Sequence, residues 1–499
     1  MTNLIVCCDG TWNTPEQEDN GQLAPTNVFK LHGALADLDS NGAPQLSYYR
    51  EGVGTSGNAI KRLLGGSLGV GLSNDIKSAY KWMCDNYDPA TSRVFLFGFS
   101  RGAFAVRSLA GLIGRYGILT QDAMVDQSTR WKAVTTIYDA YRDRLPADRP
   151  EIQNLNLHEE VAIDFLGVWD TVGALGIPDE LTINIFDRPQ KFQFHDTVLG
   201  DKVKCARHAV AIDEKRQTFS PTLWTNYDPA VVKQIWFPGV HGDVGGSYAQ
   251  HGLGDTTLEW MITEAHAEGI AFKANALAQI EHDHQGLLHN SVRGVFAKLR
   301  TLPRGVPHIN SDAIHESAKK RAEDPPLNQP SYWPSHPLIS NETRSFDIFA
   351  SEQWNAVGLY LEAGKTYHFK AAGEWLDASI KCSPEGPIND WSLGQVLQKV
   401  TLVPEFFQRR RRKKPGQQGT SISGSRREQD LPYFCLVGVI ANGFVDPQTQ
   451  ILRPHETFEI GADATHTPTK SGYLYCFAND VWSFYGNNKG SVRLNVTSE

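Results

Sequence analysis

From Arg93 to Gly114 the chain reads RVFLFGFSRGAFAVRSLAGLIG, an apolar strand that runs directly into a helix through Gly-Phe-Ser-Arg-Gly. The five residues Gly98 to Gly102 fit G-x-S-x-G, in which a serine occupies a tight strand-to-helix turn and flanking glycines let backbones pass without a Cβ clash. Such a turn lifts the Ser100 hydroxyl above a sheet edge, and the helix opening at Arg101 aims free amides at developing negative charge. The pentapeptide alone is common, but "VFLF" before it and "AFAVRSLAGLIG" after it supply the context that a nucleophile needs.

A serine alcohol needs a base, and the base an orienting carboxylate. In a parallel sheet of this type they follow in the order Ser, Asp, His at the C-terminal ends of strands. "VAIDFLGVWD" ends at Asp170 and "VVKQIWFPGVH" ends at His241, so the order is satisfied. Asp243 is a competitor for Asp170 or a carboxylate of the "GDVGG" turn, and His208 reads as a structural histidine inside a strand. Asp213, Glu214 and Arg216 read as a turn with an internal ion pair. Gly10, Thr11 and Arg101 are the expected oxyanion-hole amides. Asp9 either braces that first loop or closes the first strand in an Asx-type turn.

The surrounding pattern fixes the architecture. Strands are expected at Leu4–Cys8, Leu46–Tyr49, Arg93–Phe97, Val161–Trp169, Lys204–Ala211 and Val232–Phe237, alternating with helical stretches such as "GVGLSNDIKSAYKWMCDNY". That alternation implies a parallel sheet with helices on both faces. "EDPPLNQPSYWPSHPLIS" then reads as a proline-rich linker. Beyond it, short alternating stretches such as "YFCLVGVIANGF" and "SGYLYCFAND" are the pattern of an antiparallel β-sandwich. The expected fold class is therefore α/β plus all-β, with residues 1–320 catalytic, 321–342 a linker and 343–499 a sandwich. A basic insertion at about 400–430, "RRRRKKPGQQGTSISGSRREQD" at its heart, reads as a mobile loop, with contact to anionic lipid head groups as the alternative.

A chain of 499 residues exceeds one ordinary core, and its net charge of −8 gives no reason to expect nucleic acid. No run is apolar enough to span a membrane, and "MTNLIVCCDG" is a strand rather than a signal peptide. The seven cysteines follow no zinc spacing and read as reduced thiols, with Cys7 and Cys8 on opposite faces of a strand. A cytoplasmic protein is expected as synthesised.

"CDGTWN", "GFSRGAF", "GVWDTVGALG", "RHAVAIDEKR" and "FPGVHGDVGGSY" together resemble the catalytic domain of the type VI secretion phospholipase effectors over residues 2–290. The resemblance implies an α/β-hydrolase fold, an esterase using Ser100, Asp170 and His241, a lipid or otherwise acylated substrate, and export without a signal peptide. "FANDVWSFYGNNKGSVRLNV" resembles the calcium- and sugar-binding end of the bacterial galactophilic lectin of the PA-I type. That resemblance implies a jelly-roll-like sandwich and a Ca2+ site from Asp480, a Phe484 carbonyl, Asn487, Asn488 and a further carbonyl near Asp377. Asp and Asn oxygens with carbonyls on adjacent loops are ligands that calcium accepts. A carbohydrate or membrane surface would be the partner there, with Trp375, Trp391 or Trp482 available to stack on a sugar ring. Esterase action on acylated glycans or polyesters, or a non-catalytic binding role on a hydrolase scaffold, are the alternatives.

Overall fold

The computed structural model describes residues 1–10, 13–52, 68–121, 126–173, 199–225, 227–336, 338–388, 426–446 and 452–499. Its N-terminal region is built on a six-stranded parallel sheet of β1 (Thr2–Cys8), β2 (Gln45–Arg50), β3 (Ser92–Phe99), β4 (Phe165–Trp169), β5 (Ala206–Ala211) and β6 (Val232–Phe237). The strand order is β6-β5-β4-β3-β1-β2, so the chain starts near one edge, crosses the centre and ends at the other edge. All six strands lie where the apolar runs put them. Two start late: β4 begins at Phe165, where Asp164 takes the Val94 amide on its side chain at 3.0 Å, and β5 begins at Ala206.

Successive residues of β1 face opposite ways, as the period of a strand demands. Leu4, Val6 and Cys8 pack against α2 (Leu68–Asn86), α3 (Arg101–Tyr116) and α4 (Gln127–Arg142). Ile5 and Cys7 pack against α1 (Asn27–Ala34) and, with Phe97 and Phe165, against α6 (Gly252–Ala267). The apolar face of α2 is Leu72, Ile76, Tyr80 and Met83, all buried. Both faces of the sheet are covered, so its inner strands are buried along nearly their whole length rather than alternating. All seven cysteines are buried free thiols.

The C-terminal region is two antiparallel sheets. The larger holds β7 (Thr343–Phe349), β9 (Tyr367–Ala372), β10 (Trp375–Asp377), β11 (Ile380–Ser383), β12 (Gly386–Pro387), β15 (Asp463–His466) and β17 (Asn488–Ser498). The smaller runs β8 (Asn355–Leu361), β16 (Gly472–Ala478), β13 (Leu436–Ala441), β14 (Glu456–Glu459). Phe369, Trp375 and Leu494 of the first meet Leu436, Leu474 and Cys476 of the second in a shared core.

One expectation needs correction. The proline-rich stretch is not a free tether: Tyr332 and Trp333 are drawn into the structure because both donate to the half-buried Asp213 carboxylate, at 2.9 and 2.8 Å. Trp333 also packs on Val437, Tyr473 and Phe477, the outer face of the smaller sheet. The basic insertion expected as a mobile loop lies outside the described residues up to position 425, and the structure describes it from Arg426 on. Arg427 is clasped by aromatic rings, with its guanidinium 3.4 Å from the Phe477 ring centre and 4.1 Å from that of Trp354.

A tight junction lies between β1 and the start of α3. A Cβ at Gly102 would stand 2.1 Å from the Cys8 carbonyl oxygen, and one at Gly98 would stand 2.5 Å from the Gly102 oxygen. Both neighbours are backbone and cannot turn aside. Gly102→Ala is expected to cost about 3 kcal/mol or more through overpacking, read as a lower midpoint in urea denaturation. Alanine at the open Gly33 should leave the midpoint nearly unchanged.

Candidate functional site

Ser100 occupies the turn between β3 and α3 with φ 58° and ψ −120°, a conformation that non-glycine residues avoid and that is diagnostic of a strained functional turn. Its amide is held by the Trp169 carbonyl at 3.0 Å. Its hydroxyl lies 2.8 Å from His241 Nε2, and His241 Nδ1 lies 2.6 Å from Asp170 Oδ2. Asp170 follows β4 directly, also in a left-handed conformation (φ 37°), and His241 opens α5 (His241–Gly245) just after β6. Three strand ends that are adjacent or nearly so in the sheet thus bring together residues 141 and 71 positions apart.

The electrostatics set the proton positions. Burial lowers the His241 pKa, and outweighs the Asp170 carboxylate that pulls the other way. The imidazole is therefore neutral at neutral pH, its Nδ1 proton donated to Asp170 and its Nε2 lone pair turned to Ser100. Burial alone would raise the Asp170 pKa, yet the carboxyl is held far below the usual range by Arg304 and His241. Arg304 donates to Asp170 Oδ1 at 2.6 Å and Oδ2 at 2.9 Å, and the Ala211 amide adds a further bond to Oδ1 at 2.9 Å. The His241 ring is packed between Phe99 (ring centres 4.6 Å) and the edge of Phe219 (4.9 Å).

The competitors fall into structural places. Asp243 accepts from the Val240 amide at 2.9 Å and from His289 Nδ1 at 2.5 Å, which ties the turn rather than His241. His208 accepts the Thr171 amide on Nε2 and contacts Gln234 through Nδ1; burial pushes its pKa down to about 3. It is a neutral strut beneath the Asp170 loop. Glu214 and Arg216 form the expected ion pair at 2.7 Å, and Glu214 also takes the His241 amide at 3.3 Å. Asp213 is not part of that pair, since its partners are Gly239, Tyr332 and Trp333.

Of the expected oxyanion donors, Arg101 is the first residue of α3, where amides have no carbonyl one turn back. Gly10 lies against Ser100, but its amide donates to Asp9 Oδ1 at 2.8 Å. Asp9 also accepts from Thr26 and Tyr49, at 2.5 and 2.8 Å, so it braces the loop and closes the turn at once. Thr11 lies outside the described residues.

A second cluster sits on the C-terminal sheets. Asp377 accepts from Asn487 Nδ2 at 3.0 Å and from the Tyr433 hydroxyl at 2.6 Å; Asp480 accepts from Asn488 Nδ2 at 2.9 Å. Asp377 enters through its carboxylate, where a carbonyl contribution was expected. Tyr433, which motif reasoning missed, bridges towards both acids. Phe484 keeps its side chain 46% exposed. Burial, reinforced by the Asp377 charge, pushes the Asp480 carboxyl up to about 6, and the Asn488 Oδ1 atom is buried without a hydrogen-bond partner. Two acids, two amides and a phenol are oxygen donors that fit a hard divalent cation. Among the described residues no three His, Cys, Asp or Glu side chains gather as a metal site. Trp375 is a core residue, Trp482 is half-buried beside Arg427, and Trp391 lies outside the described residues.

Residues 2–264 match the family described as the type VI secretion phospholipase effector Tle1-like catalytic domain. The chain belongs to that family. An uncharacterized protein of Saccharomyces cerevisiae is 30% identical over 245 residues, which is 45% of this chain and 33% of that protein. The chain therefore spans about a third of the length of that curated relative. The Tle1 effector bound to the VgrG spike of the type VI secretion system is 17% identical, with a TM-score of 0.27, covering 50% of this chain and 51% of its own. The N-terminal domain of EclA, a PllA-like lectin, is 18% identical with a TM-score of 0.19, covering 31% of this chain and 95% of its own. No described helix is long and apolar enough to cross a membrane.

Sequence reasoning also missed Arg304, beside the triad. It stands in "LPRGVP", which carries no motif, and it meets Asp170 across 134 positions. The reading of His208 as a strut has its own test. His208→Gln, which keeps an acceptor for the Thr171 amide, is expected to retain activity within about threefold, whereas His208→Leu strands that amide and should cost about 1–3 kcal/mol of stability. Parallel denaturation and turnover measurements on the two variants check it.

Proposed function

We propose that the chain is a serine esterase that hydrolyses carboxylic ester bonds of lipids, with phospholipids as the substrate class. The observation that carries this reading is the unbroken hydrogen-bonded run from Ser100 through His241 to Asp170. Family membership adds the substrate class. Ser100 Oγ attacks the ester carbonyl carbon while His241 Nε2 takes its proton, and Asp170 holds the imidazole in the required tautomer. Arg101 N–H stabilises the tetrahedral oxyanion, at the positive end of α3. His241 then returns the proton to the leaving alcohol, and water resolves the acyl-enzyme by the same route.

The C-terminal sheets are proposed to form a lectin-like sandwich that holds the enzyme at its substrate surface and binds Ca2+ through Asp377, Asp480, Asn487 and Asn488, with the Phe484 carbonyl. The buried unpartnered Asn488 oxygen and the two adjoining carboxylates support that assignment. The cation would join the two loops, and it is given no part in the chemical step. Export without a signal peptide, as a type VI secretion effector, is part of the same proposal and rests on the family match.

Release of fatty acid from a phospholipid panel, beside p-nitrophenyl acyl esters of rising length, tests the reading. Ser100→Ala is expected to lower turnover by at least about a thousandfold with the fold intact. Turnover of short esters alone would move the substrate to acylated glycans or polyesters; undiminished turnover in the variant would end the proposal.

The base must be neutral to work, so kcat/KM should rise with pH and level off as His241 loses its proton. Because burial lowers that pKa, the midpoint of the acid limb is expected below the ordinary imidazole value of 6.5. A midpoint above that value in a pH–rate profile would contradict it. For the second site, millimolar Ca2+ should raise Tm by several degrees in the wild type and not in Asp480→Asn, as mass action on a folded-state site requires. Scanning calorimetry with and without chelator reads this directly.

A further inference from the structure

Three charged groups crowd the base besides Asp170. Glu214, on the loop after β5, accepts the His241 amide; its partner Arg216 lies on the same loop; and Asp243, on α5 itself, is occupied by His289. Glu214 is thus neutralised by an arginine. Asp170 is neutralised in the same way, by Arg304, whose side chain is 3% exposed. Two carboxylate–guanidinium pairs therefore flank one imidazole. A lone carboxylate would make the base strongly proton-hungry, and each guanidinium offsets part of that pull, beside the burial that lowers the His241 pKa.

Arg304 does more than balance charge. Its two terminal nitrogens also donate to the Ala211 and Phe219 carbonyls, both at 2.6 Å. One side chain thereby joins the end of β5, the Asp170 carboxylate and the segment whose Phe219 ring abuts His241. The guanidinium fork is suited to this because its donors are planar and rigidly spaced.

Arg304 itself lies beyond the matched residues 2–264, and the C-terminal sheets hold the strap that carries it. The Pro303 carbonyl accepts from His455 Nε2 at 2.8 Å, while His455 Nδ1 accepts from the Gly443 amide at 2.7 Å. The Ile309 amide donates to the Tyr473 hydroxyl at 3.0 Å, and Trp354 Nε1 reaches Thr301 at 3.2 Å. A Cβ at Gly305 would stand 3.0 Å from the Gly443 carbonyl oxygen, so the strap is seated directly on the sheet backbone.

We propose that Arg304, seated by the C-terminal sheets, is a positioning residue of the Ser100–His241–Asp170 site that fixes the Asp170 carboxylate and restrains the basicity of His241. This rests on the esterase reading above for its consequence in turnover, but not for its physical content. The C-terminal region is on this account part of the reaction apparatus as well as a binding module.

The test titrates His241 by NMR in the full-length chain labelled with 15N-histidine, with the resonance assigned from His241→Gln. Arg304→Gln removes the charge and should raise the His241 pKa by about one unit, moving the acid limb of kcat/KM by the same amount. Arg304→Lys keeps the charge and loses the fork, so the pKa should stay within about 0.3 unit while kcat/KM falls about tenfold. An unchanged pKa in folded Arg304→Gln overturns the proposal. If Arg304→Gln does not fold, His455→Ala, which releases the strap and leaves Arg304 in place, decides: an upward shift supports the proposal and a wild-type pKa overturns it. The titration reads the imidazole whether or not the ester is cleaved. Absence of Ser100-dependent turnover would therefore sink the esterase reading separately.

Discussion

A carboxylate with no exposed surface has to be surrounded by donors, because an unpaired buried charge is too costly to keep. Asp170 meets that demand with the Ala211 amide, His241 and both ends of the Arg304 fork. Each donor comes from a different piece of chain: the strand next to it, the loop after the edge strand, and a strap far downstream. The demand of one buried charge thereby decides where three segments must end. It also explains why the strap cannot be a loose connection, since an arginine that left Asp170 would abandon a buried negative charge.

The architecture around this centre was readable because its signals are local. Six apolar runs became six strands, and the glycines of G-F-S-R-G are required by backbone contacts that only a missing Cβ allows. Ser100, Asp170 and His241 are singled out by their place after strands, since a sheet rim is where a polar residue after an apolar run must go, and the structure brings the three within hydrogen-bond distance of one another. Arg304 and Tyr433 were not readable. Each acts across a gap of tens to more than a hundred positions, in a segment with no periodic or motif signal. The proline-rich stretch misled for a related reason. Its composition describes an extended spacer, whereas the donors of Tyr332 and Trp333 answer a half-buried acid on a distant loop. At the first loop, sequence permitted the Gly10 amide to face a substrate oxygen. The neighbouring Asp9 carboxylate is closer and already charged for the task, and it takes that amide instead.

The arginines show one rule applied at three places. Arg304 and Arg216 each serve a fully buried acid, Asp170 and Glu214, and Arg427 finds the faces of Phe477, Trp354 and Trp482. A weakly hydrated planar cation tolerates all three settings, where a lysine ammonium would keep its water. Arg427 closes the basic insertion against the same aromatic face that receives Trp333, so the insertion's downstream end and the linker are fixed by one sheet.

Strand β16 connects the two halves of this picture. Near its start, Tyr473 holds the strap at Ile309; just past its end, Asp480 joins the Asp377 cluster. The strand is thus a continuous element between the cluster and the strap that carries Arg304, and a cation at the cluster would reach the site through the seating of that strap. A cation there would accordingly alter how firmly Asp170 is held and how stable the chain is, while the bond-making stays with Ser100 and His241.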